Sequence, residues 1–402
     1  MQGFFTYKQT QSTSNPDGKV RSCISCGLYK NSKNPRMEPW GLFKKQILTI
    51  GLAPTENDDF QNKLWSGNTG RILKKSFNKF GIDLYEDCLH INACHCRCID
   101  KNNEDREPSM DEVSNCRKRT LQIINQYKPK LVLVFGELAL FSLIGNRWKN
   151  DFGNIQKWRG FTIPDQDLKT WICPVFHPKQ IESSENGLDV IIFEDDLEQV
   201  FNLPEFKTNK EPIIEIIEDL QVLRTIKSDL VAFDYETTGL KPQDEKHKIV
   251  CASVCYEPNK VYTFMLPDSK RKLKPFTDLL ENHNIGKIAH NMKYEYNWTK
   301  TKLGIEVNNW AFDTMQAAHI LDNRQGITGL KFQTYVNFGV VDYASEISPY
   351  LSADNKNANS INKVLELVQK SQGGKEKLLR YCALDSVFEY RLAIKQMKLL
   401  NF

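Results

Sequence analysis

The stretch "VAFDYETTGL", Val231–Leu240, decides how the second half of this chain is read. It opens as an apolar strand, breaks at Gly239, and carries Asp234 and Glu236 two positions apart. Residues two apart on a strand share a face, so the two carboxylates stand together. Like charges that close repel, and an uncompensated pair relieves the repulsion by protonating. A strand that keeps both acids therefore needs a positive partner for them.

Two later stretches supply more acid rather than base. In "IAHNMKYEY", Ile288–Tyr296, Glu295 lies four residues after Asn291 at the start of a helical pattern. In "YCALDSVFEY", Tyr381–Tyr390, Tyr381 and Asp385 are four apart and so share a helix face. If Asp234, Glu236, Glu295 and Asp385 converge, the cluster is tolerable only with cations inside it. Mg²⁺ or Mn²⁺ suits oxygen ligands. Two such ions ~4 Å apart would support phosphodiester hydrolysis.

"DYETTGL", "HNMKYE" and "YCALD" resemble, in order and spacing, the three exonuclease motifs of DnaQ-like 3′–5′ exonucleases, in the proofreading form found in family A DNA polymerases. "FDTMQAAHILD", Phe312–Asp322, is similar to the segment between the second and third motifs. The resemblance covers residues 213–402 and implies an RNase H-like fold with a mixed sheet. It also implies roles. Asp234 would bridge two metals, Glu236 and Asp385 would hold the one that activates water, Glu295 would help hold the second, and Tyr381 would orient the attacking water. The family usually has Asp where this chain has Glu295, which puts rate and metal preference in question.

Working outward, "LPEFKTNKEP", Leu203–Pro212, is polar, carries Pro near both ends and separates two apolar-periodic regions. It predicts a first domain over 1–205, a linker over 206–212 and a second domain over 213–402. In the second, "SDLVAFD", "KIVCASVCYE" and "KVYTFML" read as consecutive antiparallel strands, and the Asn/Ser-rich stretch 348–374 has no clear assignment beyond a partly helical middle. In the first, "QILTIG", "DCLHIN", "KLVLVFG" and "WICPVF" read as buried strands separated by helical patterns. That alternation predicts a parallel sheet with helices on both faces. Ligands of such folds sit past the carboxyl ends of the strands.

Those ends carry chemistry. Gly51, Ala53 and Pro54 follow the first strand, and Trp65 offers a stacking face a little further on. Asn92 closes the second strand, and His177 in "FHPKQI" follows the fourth. Together they make a pocket able to stack on and hydrogen-bond a flipped base. Asp58 and Asp59 are near enough in sequence to polarise a water. Lys74, Lys75, Lys79, Arg117, Lys118 and Arg119 are candidates for gripping phosphates. Cys23 and Cys26 in "CISC", with Cys96 in "CHCRC" and Cys116, make four thiolates, enough for a structural Zn²⁺ or an iron–sulfur cluster.

This half is similar to the uracil-DNA glycosylase superfamily, in particular its iron–sulfur families four and five, over about residues 20–200. The resemblance rests on the glycine-rich "GLAP" stretch, Asn92, "HCRC", "VFGELAL" and the His-Pro pair. It implies a three-layer α/β/α fold and a [4Fe–4S] cluster on Cys23, Cys26, Cys96 and Cys116, with Cys94 and Cys98 as extras. Trp65 would stand where the family usually has Phe. Leu52 stands where family four has an acid, so glycosylase chemistry is less firmly implied than the fold.

The two resemblances occur in this order in the N-terminal half of family A polymerases of certain large tailed phages. They imply DNA with a single-stranded 3′ end as substrate, a polymerase domain in cis or in trans as partner, and a proofreading role. The alternatives are an iron–sulfur DNA-binding or assembly module with weak nuclease, and a repair enzyme that excises uracil and trims ends. The net charge of +4 argues little by itself. No apolar run approaches the ~20 residues of a membrane helix, and the first residues lack a signal-peptide layout. The expected location is the cytoplasm of an infected bacterial host, with no membrane partner.

Overall fold

A computed structural model describes residues 22–148, 150–184, 187–353 and 360–402. The described residues form two compact units, one of residues 22–209 with Tyr335–Val341, the other of Lys210–Thr334 and Asp342–Phe402.

The first unit holds a five-stranded sheet of β1 (Ile47–Gly51), β2 (Cys88–Asn92), β3 (Leu131–Phe135), β4 (Ile163–Asp165) and β5 (Thr170–Val175), in the order β2-β1-β3-β5-β4. β1, β2, β3 and β5 run parallel, and every residue of β1, β2 and β3 is buried. Helices on both faces demand that, because neither side of the sheet meets water. β4 is an antiparallel edge strand that the apolar pattern did not reveal, since it has only three residues. Gly51 pairs with Asn92 and Phe135 with Val175, so the four parallel strands end along one edge. In this unit the Tyr335 hydroxyl donates to Asp165, whose carboxylate also takes a 2.8 Å ion pair from buried Arg147.

The second unit holds a six-stranded mixed sheet of β6 (Ile213–Ile216), β7 (Leu230–Thr237), β8 (Ile249–Glu257), β9 (Lys260–Met265), β10 (Gly286–Ala289) and β11 (Trp310–Asp313), in the order β11-β10-β7-β8-β9-β6. β7, β8 and β9 form the expected antiparallel meander. β10 and β11 add parallel strands on one side, and β6 adds one on the other. The period of two on β7 sorts its residues cleanly. Val231, Phe233 and Tyr235 pack into a core with Phe276 and Trp298, whereas Ala232 joins Ala383 and Val387 of the helix Gly374–Leu399 on the opposite face. Asp234 and Glu236 share the face of Ala232. Of the stretch 348–374, Ser348–Leu351 and Val364–Lys370 are helical, and residues 354–359 lie outside the described residues. Among the described residues no helix is long and apolar enough to cross a membrane.

Candidate functional site

In the second unit, Asp234 and Glu236 on β7 lie opposite Ser253 and Cys251 of β8. The helix Gly374–Leu399 is fixed over this face, where the Ser253 hydroxyl donates to the Cys382 carbonyl at 2.8 Å and bonds the Ser386 hydroxyl at 2.9 Å. That contact brings Tyr381, Cys382 and Asp385 to the acids. One ligand atom each from Asp234, Glu236 and Cys382 lies within 4.8 Å of the others. Glu295 arrives from the short helix Met292–Trp298. Asp313, inside the stretch Phe312–Asp322, positions the loop before it. Its carboxylate accepts from the backbone N–H of Asn291 (3.1 Å) and Met292 (2.9 Å) while also capping the helix Thr314–Leu321.

Burial and then the Asp385 charge hold the Asp234 carboxyl well above its usual range. Burial and then Asp234 do the same for Glu236 and for Glu295. Glu295 is 2% exposed, and its Oε2 has no hydrogen-bond partner. Asp385 differs. It takes an ion pair from Lys331 and a 2.5 Å hydrogen bond from the Tyr343 hydroxyl. The Lys331 ammonium also lies 4.0 Å and 4.3 Å from the ring centroids of Tyr343 and Tyr381. Burial, then Asp385, raises the Tyr381 phenol, which keeps its proton. A fifth acid, Glu389, sits one helical turn beyond Asp385. It is 2% exposed, its Oε2 is also unpartnered, and burial followed by Asp234, Glu295 and Asp385 pushes its carboxyl up.

In the first unit, the ends of the parallel strands enclose a cavity of about 130 Å³ lined by Leu52, Ala53, Pro54, Trp65, Asn92 and His177, among others. Gly51 is not among the lining residues but packs against two of them, because a Cβ there would stand 2.3 Å from Asn92 Oδ1 and 3.0 Å from the Trp65 ring. Trp65 adopts a left-handed φ of 57°, uncommon for a bulky residue. Its ring is braced edge-on by Phe135 and hydrogen-bonded to Thr49. His177 Nδ1 accepts the Lys179 backbone N–H at 3.2 Å, which leaves the proton on Nε2. Burial, then Lys179, lowers His177 to about 4, so the ring is a neutral donor at neutral pH.

On the same unit, Cys23, Cys26, Cys96 and Cys116 line a second cavity of about 320 Å³. All of them are free thiols. The Arg36 backbone N–H donates to Cys96 Sγ at 3.2 Å. Hydrogen bonds from Cys26 and then Cys94 hold Cys116 far below the usual thiol range, as a thiolate. No three of these sulfurs lie within 4.8 Å of one another.

Residues 40–199 match the uracil-DNA glycosylase superfamily, and residues 208–401 match a 3′–5′ exonuclease family of DNA polymerase A type. The type-4 uracil-DNA glycosylase of Saccharolobus solfataricus is 30% identical over 162 residues, 40% of this chain and 72% of that protein. The chain belongs to the uracil-DNA glycosylase superfamily and carries a 3′–5′ exonuclease domain. The DNA polymerase of Bacillus phage SP01 is 24% identical over 332 residues and spans both domains, 72% of this chain, though this chain covers only 34% of that polymerase. DNA polymerase I of Chloroflexus aurantiacus is 30% identical over 141 residues, 32% of this chain and 15% of its own length.

Asp58 lines the base-pocket cavity. Asp58 accepts from Thr55 N, Ser66 N and the Ser66 hydroxyl, and Asp59 from Lys33 N and Asn34 N, bonds that also hold the neighbouring loops. Several candidate phosphate-gripping residues are likewise engaged. Lys79 pairs with Glu194, Arg119 with Glu38, and Arg117 bonds the carbonyls of Phe141 and Ser142. In the exonuclease domain, Glu389, Lys331, Tyr343, Cys382 and Asp313 are members of the site that the sequence reading passed over. Glu389 carried a signal, its spacing of four from Asp385. Lys331 and Tyr343 carried none.

Proposed function

We propose that the exonuclease domain shortens single-stranded DNA from its 3′ end with two divalent cations, in phage replication beside a family A polymerase domain supplied in cis or in trans. The observation that carries this reading is the imbalance of charge. Asp234 and Glu236 lie together, Asp385, Glu295 and Glu389 are close enough for their charges to couple with that of Asp234, and Lys331 is ion-paired with Asp385, so four of the five carboxylates lack an ion-pair partner among the described residues. The unpartnered Glu295 Oε2 beside Asp234 fits a cation ligand. Asp234, Glu236, Glu295 and Asp385 would hold Mg²⁺ or Mn²⁺, which when bound polarises the phosphate and lowers the pKa of water. Tyr381 keeps its proton and orients the attacking water. Lys331, in line with Asp385, steadies negative charge at the phosphate.

The reading is tested on a 5′-labelled single strand with Mg²⁺. The expected products are a ladder shortening from the 3′ end that stops on chelation. Equal digestion of a strand with a blocked 3′ terminus would overturn it.

The four cysteines fit a [4Fe–4S] cluster. They line one cavity of about 320 Å³, room for a cluster as well as for a single ion. Cys23, Cys26, Cys96 and Cys116 would hold the cluster, which would serve structure. The domain would take an extruded pyrimidine between Trp65, Asn92 and His177, with the His177 Nε2–H donating to the base. With Leu52 apolar at the mouth of the pocket, this reading makes it a base-binding module rather than a fast excision enzyme. Trp65→Ala should weaken binding of a uracil-containing strand by roughly 10-fold, the lower part of the range for one lost stack, as measured by fluorescence anisotropy. Rapid, His177-dependent formation of abasic sites would reverse this assignment.

The raised carboxyls also fix a pH dependence. The folded, metal-free chain holds protons on Asp234, Glu236, Glu295 and Glu389 at pH values where the unfolded chain, titrating at about 4, has lost them. Stability of the chelated protein should therefore fall as pH rises above that range. Added Mn²⁺ should raise Tm more in mildly alkaline than in mildly acidic buffer. Scanning calorimetry at the two pH values reads this directly, and an equal shift at both would contradict it.

A further inference from the structure

We propose that Asp234, Glu236 and Cys382 form a thiophilic metal site, one that takes zinc inside the acidic cluster and arrests hydrolysis there. The proposal rests on the reading of the cluster as the nuclease centre and adds a regulator of it. Among the described residues this is the group of three whose ligand atoms all lie within 4.8 Å of one another. Cys382 Sγ is 3.7 Å from Asp234 Oδ2. A tetrahedral zinc with one sulfur at about 2.3 Å and one oxygen at about 2.0 Å separates the two by ~3.5 Å, so little movement is needed.

A second observation concerns a neighbouring acid. Glu295, 2% exposed, leaves Oε2 without a partner, and among the charges around it the Asp234 carboxylate acts on it most strongly. Its oxygens lie outside the 4.8 Å group, so a shift of its side chain would bring it in as the remaining donor. Cys251, opposite Glu236 in the sheet register, places a second thiol beside Cys382. Magnesium gains nothing from sulfur, whereas zinc and cadmium prefer it. Cys382 therefore separates metals that the carboxylates alone would treat alike. On binding, the Cys382 thiol gives its proton to bulk buffer as the zinc–sulfur bond forms, with no change of oxidation state. Asp234 and Glu236 then spend their oxygens on an ion whose coordination sphere is closed by the thiolate.

The test uses the full chain with its native cofactor content. Wild type and Cys382→Ser are dialysed to equilibrium against zinc in excess Mg²⁺. Wild type should retain one zinc equivalent more than the variant. With cadmium in place of zinc, the wild-type-minus-variant spectrum should show the ultraviolet thiolate–cadmium band. Zinc should inhibit 3′–5′ digestion at a concentration at least ~10-fold lower in wild type, the scale on which one ligand-sphere change alters metal affinity, with each protein normalised to its own Mg²⁺-supported rate. Cys382→Ala provides the same comparison if the serine variant does not fold, and Cys251→Ser should retain the extra zinc. Equal zinc content with no cadmium difference band overturns the proposal even where digestion proceeds. A zinc difference without any Mg²⁺-dependent digestion leaves the site standing and instead removes the nuclease reading.

Discussion

Glu236→Gln is expected to slow 3′–5′ digestion in Mg²⁺ by on the order of 10³-fold or more, because bound metal contributes several kcal/mol to the transition state. The change keeps the shape of the side chain and removes only its charge. Glu236 is 8% exposed, lies on β7 two residues from Asp234, and has its carboxyl raised first by burial and then by Asp234. Its charge is therefore costly to the fold and is retained only if a cation uses it. Two further measurements separate a catalytic loss from a folding defect. The metal-free variant should melt higher than metal-free wild type at neutral pH, since burying Gln requires no proton uptake on folding whereas burying Glu236 does. Its stabilisation by Mn²⁺ should shrink. Undiminished digestion by a well-folded Glu236→Gln protein would remove the ligand assignment.

The second large effect lies in the other domain. Cys96→Ser should abolish the broad visible absorbance expected of an iron–sulfur cluster and lower the melting temperature of the glycosylase-like domain by about 10 °C. Binding free energy of a structural metal group is folding free energy. Loss of 3–4 kcal/mol shifts Tm by ~10 °C in a domain of this size. The reason is local. Cys23 and Cys26 lie in a helix of a single turn, far below the length that stands alone. What ties that turn to the helix Met110–Tyr127 is a small set of bonds, such as Ser22 N and the Ser25 hydroxyl to Asn115. Four sulfurs on one group would staple the segment, β2's far end and that helix together. An unchanged melting curve in a protein whose iron has been lost would show that the cysteines are merely buried.

How much of this was readable beforehand depends on how far apart the partners lie in sequence. The four parallel strands of the first unit and the meander of the second were legible because runs such as "KLVLVFG" and "KIVCASVCYE" carry their burial in local composition. β4, β6, β10 and β11 were missed, being three or four residues each. Asp234 and Glu236 were legible through the strand period, and Tyr381 with Asp385 through the helical one. Lys331 was not, because its bond to Asp385 spans 54 positions and no repeat connects them. Asp58 was legible in part. Its place at the pocket follows from its nearness in sequence, whereas the capping box at Thr55 and the bonds from Ser66 that orient its carboxylate were not readable.

The Lys331 ammonium on Asp385 has a bearing on which salts this centre admits. At Asp385 itself, sodium or potassium could only replace one unit of positive charge with another, after stripping its own hydration. A doubly charged ion brings a surplus that the remaining carboxylates can use, and at fixed distance the attraction doubles. A tethered amine of this kind makes exchange at Asp385 favour a doubly charged ion over a singly charged one.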